Sequence, residues 1–438
     1  MNKKNPAWAF FASVKLALFT LFVLAVTSII GTVIPQKEPA SVYAEKYGAN
    51  MAQLIDVLDI ADMYASWWFL ALLGLLSANL IICSIDRFPG VWKQIKADNL
   101  STPVDRIRKM GRRESWQVEG SINDTATRLA ADLGSKGWNP EQLEKDGGIL
   151  LFGQKGAWSR TGVYIVHLSI LVIFVGAIFG SLLGFKGGAM IAETKQVDSI
   201  HTFDTQESID LGFTVRCDSF GIEFYPNGMP KDYRSVLTVL ENGKEIQTTP
   251  IEVNEPLTYK GITFYQSSYQ GYSDFLVKLT SEKSGAEKTF IVPYQQKTLW
   301  AEENIKFAVA QARAAGQTVS AMKILFSVGD NEPTSFWLDA GGTATLEGEA
   351  GNYLLHGKQL YATGLQVAKD PGVWIVYFGC TMMLLGLCVA FFMSHRRIWL
   401  FIEDDNGASN ILLAGSANKN RTGFEKSFEV LKQDLQQS

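Results

Sequence analysis

"GVYIVHLSILVIFVGAIFG", Gly162 to Gly180, is an apolar stretch of nearly the length that crosses a hydrocarbon core, which takes roughly 20 residues. It contains a single histidine, His167. An ionisable group at membrane depth costs free energy, so its presence by default indicates a functional site. The stretch therefore predicts a membrane-spanning helix, and it makes His167 the first candidate functional residue.

Three more blocks of similar length are also nearly uncharged, and together they predict a multi-pass α-helical membrane protein with four transmembrane helices. The four blocks are Leu16–Ile34, Trp67–Ile85, Val163–Phe185 and Val373–Met393. The third of these contains most of the stretch quoted above. The first could instead be a signal peptide, because Lys3 and Lys4 precede it. Its apolar run is too long for a typical signal-peptide core, which favours a retained helix.

Basic residues beside the spans predict the orientation, because cytoplasmic loops carry an excess of lysine and arginine. These residues are Lys3, Lys4 and Lys15 before the first span, Arg87, Lys93 and Lys96 after the second, Lys155 and Arg160 before the third, and Arg396 and Arg397 after the fourth. Both termini are therefore expected to be cytoplasmic, and the long segment between the third and fourth spans is expected to be extracytoplasmic.

The resulting domain plan has nine parts, which alternate between spans and the segments that join them. They are a cytoplasmic N-terminus (1–15), transmembrane helix 1 (16–34), an extracytoplasmic loop (35–66), transmembrane helix 2 (67–85), a small cytoplasmic α/β segment (86–162), transmembrane helix 3 (163–185), a large extracytoplasmic β-rich domain (186–372), transmembrane helix 4 (373–393) and a cytoplasmic C-terminal tail (394–438).

The small cytoplasmic segment is predicted to be a β-α-β unit. "ESWQVEG" and "GGILLFGQKG" have strand-like composition, and "SINDTATRLAADLGSKG" between them is typical of a helix. Either Ser121 or Asn123 can cap the start of that helix, and Gly137 follows its end. No secondary structure is assigned to the C-terminal tail.

The large segment carries mostly strand signals. Asn242-Gly243 and Ser284-Gly285 each separate two β-rich runs and predict hairpins, and "GITFYQSSYQGY" is aromatic and β-branched as strands prefer. One amphipathic helix is predicted over Ala301–Ala315. These signals together predict a β-sandwich-like domain with a minor helical part.

Composition excludes several classes of protein. A net charge of −4 and a pI near 5.7 argue against a nucleic-acid-binding protein, which would present a basic face. The four cysteines form no C-x-x-C and no C-x-x-C-H motif, so the chain is neither a thiol-disulfide exchange protein nor itself a c-type cytochrome. The four histidines are far apart in sequence, and no metal-ligand cluster is evident.

Two interpretations of His167 remain open from the residues alone. A neutral imidazole in a span can ligate haem iron, and it can equally hydrogen-bond a neighbouring helix. Gly176, Gly180 and Gly184 form a small-residue row, and at 100° per residue His167 points away from it. We hypothesise that this row packs against the chain's own helices while His167 faces a cofactor or a partner subunit.

His395, in "FFMSHRRIW" at the end of the fourth span, is the second candidate. A basic, aromatic-flanked sequence is typical of an ordinary helix exit at the cytoplasmic face. In the predicted topology, however, His395 lies in the same leaflet as His167, and arginines at that level could pair with haem propionates.

Five collinear stretches resemble the ResB (also CcsB) proteins of system II cytochrome c biogenesis, and they run through most of the chain. They are "SVKLALFTLFVLAVTSIIGTVIPQ", "NLIICSIDRFPGVWK", "GVYIVHLSILVIFVGAIFGSLLGFKG", "VNEPLTYKGITFYQSSYQG" and "KDPGVWIVYFGCTMMLLGLCVAFFMSHRRIW". Each stretch alone would be a weak signal, whereas five in the right order and topology are specific.

The resemblance implies a membrane partner of the tryptophan-rich protein CcsA (ResC). With that partner it would carry haem b, as a transient substrate, across the membrane for attachment to apocytochrome c. The family's histidine in the third span, thought to ligate haem, maps onto His167. The chain has no tryptophan-rich W-x-W-D-type motif, so the outer haem platform is expected to belong to the partner, and a separate thioredoxin-like protein is expected to reduce the apocytochrome.

The resulting hypothesis is a subunit of a cytochrome c haem lyase complex that is not catalytic alone. A structural scaffold whose outer domain recruits extracytoplasmic proteins without binding haem is the alternative. The short N-terminus has no Arg- and Ser-rich transit segment, which favours the bacterial cytoplasmic membrane over a plastid one.

Overall fold

The computed structural model describes residues 5–225, 229–315, 318–329, 331–348, 351–405 and 407–437. The chain divides into two compact units. The helix-rich unit comprises Met1–Val175 and Trp374–Ser438, and the β-rich unit comprises Gly176–Val373.

The helices of the described chain, in order, are α1 Pro6–Phe11, α2 Val14–Val33, α3 Ala40–Tyr47, α4 Ala49–Val57, α5 Trp67–Ile95, α6 Val104–Arg108, α7 Ile122–Ser135, α8 Gly162–Leu183, α9 Val373–Phe392 and α10 Arg421–Gln437. Short 3₁₀ turns occur at Met63–Ala65, Ala157–Thr161 and Ala301–Glu303.

The strands are β1 Arg113–Glu119, β2 Glu141–Lys145, β3 Gly148–Lys155, β4 Phe185–Ala192, β5 Gln196–Thr202, β6 Ser208–Phe224, β7 Pro230–Glu241, β8 Lys244–Ile251, β9 Leu257–Tyr259, β10 Ile262–Ser281, β11 Glu287–Val292, β12 Thr298–Trp300, β13 Ile305–Ala315, β14 Thr318–Val328, β15 Thr334–Asp339, β16 Gly342–Gly348, β17 Gly351–Lys369, β18 Arg396–Asp405 and β19 Ala408–Ala417.

The four predicted spans are confirmed as helices long and apolar enough to cross a membrane: α2, α5, α8 with the turn before it, and α9. The helices α2, α8 and α9 each begin and end within two residues of the predicted bounds. The second differs, because α5 continues past Ile85 to Ile95 with Pro89 inside it. The apolar window therefore marks the part of α5 suited to the bilayer, while the helix itself extends into polar sequence.

Small residues allow the spans to approach closely. A Cβ added to Gly379 of α9 would lie 2.6 Å from Ile173 Cγ1, and one added to Gly386 would lie 3.0 Å from Ile165 Cγ2. Near the start of α2, the buried Asn79 of α5 donates to the carbonyls of Phe11 (2.6 Å) and Ser13 (3.0 Å). The spans thus pack through glycines and interhelical hydrogen bonds, as expected where lipid supplies no hydrophobic contrast.

A five-stranded antiparallel sheet completes the helix-rich unit, in the order β1-β19-β18-β3-β2. The predicted helix is confirmed as α7, with the Ser121 side chain accepting from Asp124 N. The predicted strands are present as β1 and β3, but with α7 they do not form a self-contained β-α-β unit, because β19 and β18 lie between β1 and β3. Those two strands and α10 come from residues 394–438, so the predicted tail is a folded part of the sheet.

The central strands β3 and β18 are buried on both faces of the sheet, which explains their continuous apolar runs, whereas the edge strands β1 and β2 are largely exposed. On one face, Leu151 and Leu400 pack against Leu133 of α7 and Phe428 of α10. On the other face, alternate strand residues including Trp399 pack against α6.

The β-rich unit holds a ten-stranded sheet and a four-stranded sheet. The main path of the larger sheet is β11-β10-β17-β4-β5-β6-β7-β8, with β16 and β9 beside it, and the smaller order is β12-β13-β14-β15. One core lies between Phe275 and Val277 of the larger sheet and Phe307 and Ile324 of the smaller one. The predicted β-rich fold is confirmed.

Both predicted hairpins are present. Asn242 and Gly243 join β7 to β8 with φ of 50° and 77°, the left-handed conformation that such a two-residue turn requires. Ser284-Gly285 lies in the turn between β10 and β11, and "GITFYQSSYQGY" lies almost entirely in β10.

The predicted helix over Ala301–Ala315 is wrong. After a 3₁₀ turn at Ala301–Glu303, β13 runs from Ile305 to Ala315. Ile305, Phe307 and Val309 are buried in the core between the two sheets, and this period of two outweighed the helix propensity of the alanines that follow.

Candidate functional site

His167 lies in the second turn of α8 and contacts the chain's own second span. Its Nδ1 is 2.9 Å from the Oγ of Ser84 on α5, and its side chain is partly exposed. The hypothesis that the imidazole faces only outward therefore needs amending, because one ring nitrogen faces the neighbouring helix.

The second ring nitrogen of His167, Nε2, makes no hydrogen bond within the described residues. When the Ser84 hydroxyl accepts a hydrogen bond from Nδ1–H, the neutral ring has its lone pair on Nε2. Ligating histidines are commonly held in this way, with the non-ligating nitrogen bonded to a fixed neighbour that sets tautomer and ring orientation.

Aromatic rings continue from His167 toward the start of α8. Tyr164 makes an edge contact with the imidazole at 6.1 Å between centroids, and Phe88 of α5 contacts Tyr164 at 5.2 Å. Phe88 stacks on Trp92 at 5.8 Å, and Trp92 contacts Trp158 at 5.5 Å. We call Phe88, Trp92, Trp158 and Tyr164 the aromatic row.

The aromatic row offers apolar surface beside an available nitrogen, since Trp158 is 59% exposed and Phe88 37% exposed. The sequence reasoning missed these residues together with Ser84. Helical spacing could have identified them, because Ser84, Phe88 and Trp92 recur every four residues on one face of α5, and Tyr164 lies three residues before His167.

His395 is in a different environment and shares no bonding partner with His167. It is 1% exposed, its Nδ1 accepts from Arg160 Nε at 2.9 Å, and its Nε2 lies 3.0 Å from Gln154 Oε1. Both ring nitrogens are thus occupied within the chain, and Nε2 carries the proton. Iron ligation by His395 would require one of these bonds to break, and it stays a prediction.

Burial, followed by the charges of Arg160 and Arg397, lowers the pKa of His395 to about 4. The imidazole is therefore neutral at physiological pH. Its backbone N–H donates to Asn418 Oδ1 at 2.8 Å, so the residue ties β18 to the segment after β19. These contacts favour a structural role for His395.

The glycine row contacts the chain's own segment that leads into α9. A Cβ added to Gly180 would lie 2.5 Å from Asp370 Oδ1, and one added to Gly184 would lie 2.5 Å from the Lys369 carbonyl. Gly372 approaches the backbone of Gly176 even more closely. These are close contacts of the kind that the small-residue row predicts.

Other chemistry is sparse in the part of the chain that the structure describes. No group of three or more His, Cys, Asp or Glu side chains is placed to hold a metal ion there. Cys83, Cys217, Cys380 and Cys388 are all free thiols, and burial raises the pKa of Cys217 to about 12, so that thiol is unreactive.

Comparison with known proteins gives one consistent result. The sequence matches the model of the ResB-like family over residues 14–334 and 341–429. Similar proteins named cytochrome c biogenesis protein CcsB occur in Gloeobacter violaceus (27% identical over 97% of this chain and 90% of that protein), Microcystis aeruginosa (28%, 97% and 96%) and Prochlorococcus marinus (26%, 97% and 97%).

Proposed function

The chain belongs to the ResB-like family, and from this premise we propose that it is a membrane subunit of a system II cytochrome c synthase. It acts with a tryptophan-rich CcsA/ResC-type partner to deliver haem b, its transient substrate, across the bilayer for attachment to apocytochrome c. The names of its relatives support a role in cytochrome c maturation. The chain is a component of the haem lyase complex and is not catalytic alone.

The observation that carries the proposal is the bonding state of His167. Ser84 fixes Nδ1, Nε2 has no partner within the described residues, and the aromatic row lies beside the ring. When the Ser84 hydroxyl accepts from Nδ1–H, this arrangement provides what an axial ligand needs: a ring held in place, a lone pair on Nε2 and an apolar surface against which a porphyrin can lie.

Strand pairing supports the proposed topology. Because β18 pairs with β3, the segment before α8 and the segment after α9 must lie on the same side of the bilayer. The lysines and arginines beside the spans make that side the cytoplasmic one, with both termini cytoplasmic. Residues 184–372 are then extracytoplasmic, and the membrane is the bacterial cytoplasmic membrane.

Roles follow for the other components of the complex. The β-rich unit is available to hold the apocytochrome or to brace the partner on the outer side. Since the sequence has no C-x-x-C motif, a separate thioredoxin-like protein keeps the apocytochrome thiols reduced.

A structural scaffold is the second candidate, and the Ser84–His167 hydrogen bond is the observation that favours it. Such a polar contact between two spans can have the sole role of holding the helices together. In that case the chain recruits extracytoplasmic proteins and binds no haem.

Absorption spectroscopy distinguishes the two functions. The full chain, purified alone and with its partner, is expected to show a Soret band that is lost in His167→Gly and restored by added imidazole. His201→Gly, which removes an exposed histidine of the β-rich unit, is the control and should leave the band unchanged. The absence of a band from both wild-type preparations would favour the scaffold.

A further inference from the structure

A cationic cavity lies where β18, β19 and the segment after α5 meet in the helix-rich unit. It has a volume of about 260 Å³, and its polar lining includes Asn99, Arg106, Arg397 and Ser416. Sites for drug-sized ligands are roughly 300–1,000 Å³. The cavity therefore suits a small group such as a phosphate and is too small to enclose a porphyrin.

Two guanidinium groups, those of Arg106 and Arg397, line this cavity, and a third, that of Arg160, is close enough for its charge to act on Arg397. Among the described residues, Arg106, Arg160 and Arg397 form no ion pair. Burial, followed by the charges of Arg160 and Arg106, lowers the pKa of Arg397. In the described part of the chain, the Arg160 side chain donates to two neutral acceptors, His395 Nδ1 and Gln94 Oε1. Clustered cations with no counter-charge from the protein favour an anion.

Two further features of the cavity suit a ligand: an unsatisfied hydroxyl donor on β19, and a loop held in place by a lysine. The Oγ of Ser416 is buried and has no hydrogen-bond partner among the residues that the structure describes, a state that usually costs free energy. Lys145 Nζ donates to the carbonyls of Leu100 (3.3 Å), Ser101 (2.9 Å) and Thr102 (3.1 Å), which holds the loop that forms one wall. A hydroxyl and guanidinium groups on a fixed wall are suitable donors for phosphate oxygens.

The position of the arginines indicates where the phosphate comes from. Arg160 precedes the start of α8 at Gly162 by two residues, about 4 Å along the chain in a helical turn. The interfacial layer of a bilayer is roughly 5–8 Å thick on each side. Arg160, whose charge acts on Arg397 of the cavity, is thus at the depth of lipid headgroups, and the cationic cavity lies next to that layer, where basic pockets bind anionic lipids.

We propose that the cationic cavity binds a phosphate group, supplied by the headgroup of an anionic phospholipid, through Arg106, Arg397 and Ser416. The site is separate from His167 and does not depend on the proposed function. Bound lipid would lock the five-stranded sheet to the bilayer surface and stabilise the unit that carries His167.

Arg106 and Arg108 provide a matched pair for the test, because both lie on α6 and only Arg108 is ion-paired, to Glu403 at 2.6 Å. The melting temperature of the full chain in detergent is measured against added phosphatidylglycerol, with phosphatidylcholine as the uncharged reference. Arg106→Gln should require about tenfold more phosphatidylglycerol for the same shift, as expected for loss of a charge-assisted hydrogen bond. Arg108→Gln should respond as wild type, and equal responses from the two variants would overturn the proposal.

Ser416→Ala distinguishes specific binding at the cavity from non-specific electrostatic attraction to the protein surface, because the substitution leaves the net charge unchanged. Without lipid it should melt at the wild-type temperature or above, because it removes an unsatisfied hydroxyl. Its shift with phosphatidylglycerol should be smaller than that of wild type. A wild-type response in Ser416→Ala would contradict a site that uses this hydroxyl.

Two further arms identify the source of the anion. Inorganic phosphate is compared with chloride at equal ionic strength: a response to phosphate alone assigns the site to free phosphate, a response to phosphatidylglycerol alone assigns it to a headgroup, and no response to either overturns the proposal. His167→Ala should keep the wild-type response. Its loss in that variant would mean that the site is not separate from His167 and would also overturn the proposal.

Discussion

The hydroxyl of Ser84 determines which nitrogen of His167 is available, so it should affect haem binding without touching haem. Ser84→Ala removes the only hydrogen-bond partner of the ring among the described residues. We expect haem retention to weaken by roughly 10–100-fold, as for other residues that orient a metal-ligating histidine, and the Soret band to shift. Haem titration followed by absorbance measures both effects.

Ser77→Ala is the matched control for Ser84→Ala. Ser77 lies on the same helix, and among the described residues its hydroxyl donates only to the carbonyl of Leu73, one turn earlier. Its removal should leave the spectrum and the affinity at wild-type values. If Ser84→Ala and Ser77→Ala give identical titrations, the Ser84 contact does not position the ring.

His395 should make stability depend on pH. Its folded-state pKa of about 4 lies below the ordinary 6.5, so between these values the unfolded chain binds a proton that the folded chain does not. The stabilisation is complete above pH 6.5 and is lost as pH falls toward 4, by roughly 3 kcal/mol in total. Arg160 and Arg397 face the imidazole and oppose its protonation.

His395→Gln should flatten this pH dependence, while the loss of packing lowers the melting temperature at pH 7. Melting temperatures of the detergent-solubilised chain between pH 7 and pH 4 measure the slope. His201→Gln changes an exposed histidine and should retain the wild-type slope. An unchanged slope in His395→Gln would show that another group is responsible.

At the scale of the element, the contact between α8 and α9 depends on glycine. A Cβ at Gly379 would meet Ile173 Cγ1 at 2.6 Å and the Ser169 carbonyl at 3.2 Å, so Gly379→Ala should force the helices apart. Overpacking of this kind costs about 1–3 kcal/mol. We therefore expect a lower melting temperature for the detergent-solubilised chain.

Gly74→Ala is the opposite case on another span. A Cβ at Gly74 meets nothing within 4 Å, and alanine is a better helix former than glycine by about 1 kcal/mol. This variant should be neutral or slightly stabilised. Equal destabilisation by Gly74→Ala and Gly379→Ala would mean that the spacing between α8 and α9 is not limiting.

Elements with local signals could be predicted from the sequence. Apolar length identified the spans, and Asn242-Gly243 identified a hairpin, because in both cases neighbouring residues determine the structure. Ala301–Ala315 was misread because alanines have high helix propensity, whereas β13 is fixed by burial of Ile305 and Phe307 against another sheet. Such a contact between distant segments leaves only a weak local pattern.

The candidate site divides in the same way. His167 stands out in the sequence because an ionisable residue in an apolar run is unusual, but the periodicity could not show whether its ring faces another span. Ser84 is 83 residues away in the chain, and only the packing of α5 on α8 brings its hydroxyl to the imidazole. The association with haem came from the family resemblance.

At the scale of the whole molecule, the C-terminal residues belong to a sheet whose other strands precede α8. A signal existed in "RRIWLFIEDDNGASNILLAGSA", where two apolar runs flank an Asn-Gly pair in the pattern of a hairpin. The sequence could not show that this hairpin inserts between β1 and β3, since nothing near it in the chain specifies those partners. The small domain is therefore assembled only when both chain segments are present on one side of the bilayer.

Assembly from distant segments predicts that a change in α10 will loosen strands nearly 300 residues earlier. Phe428 is 1% exposed and packs on β19, where a Cβ at Gly415 would lie 2.8 Å from its Cε2. Phe428→Ala should cost about 3–5 kcal/mol and expose residues 113–155 to proteolysis. Val430→Ala, at a position 57% exposed on the same helix, should change stability by less than about 0.5 kcal/mol. Limited proteolysis of the purified full chain, with cleavage sites identified by mass spectrometry, compares the two variants. Cleavage confined to α10 in Phe428→Ala would show that the helix is not coupled to the sheet.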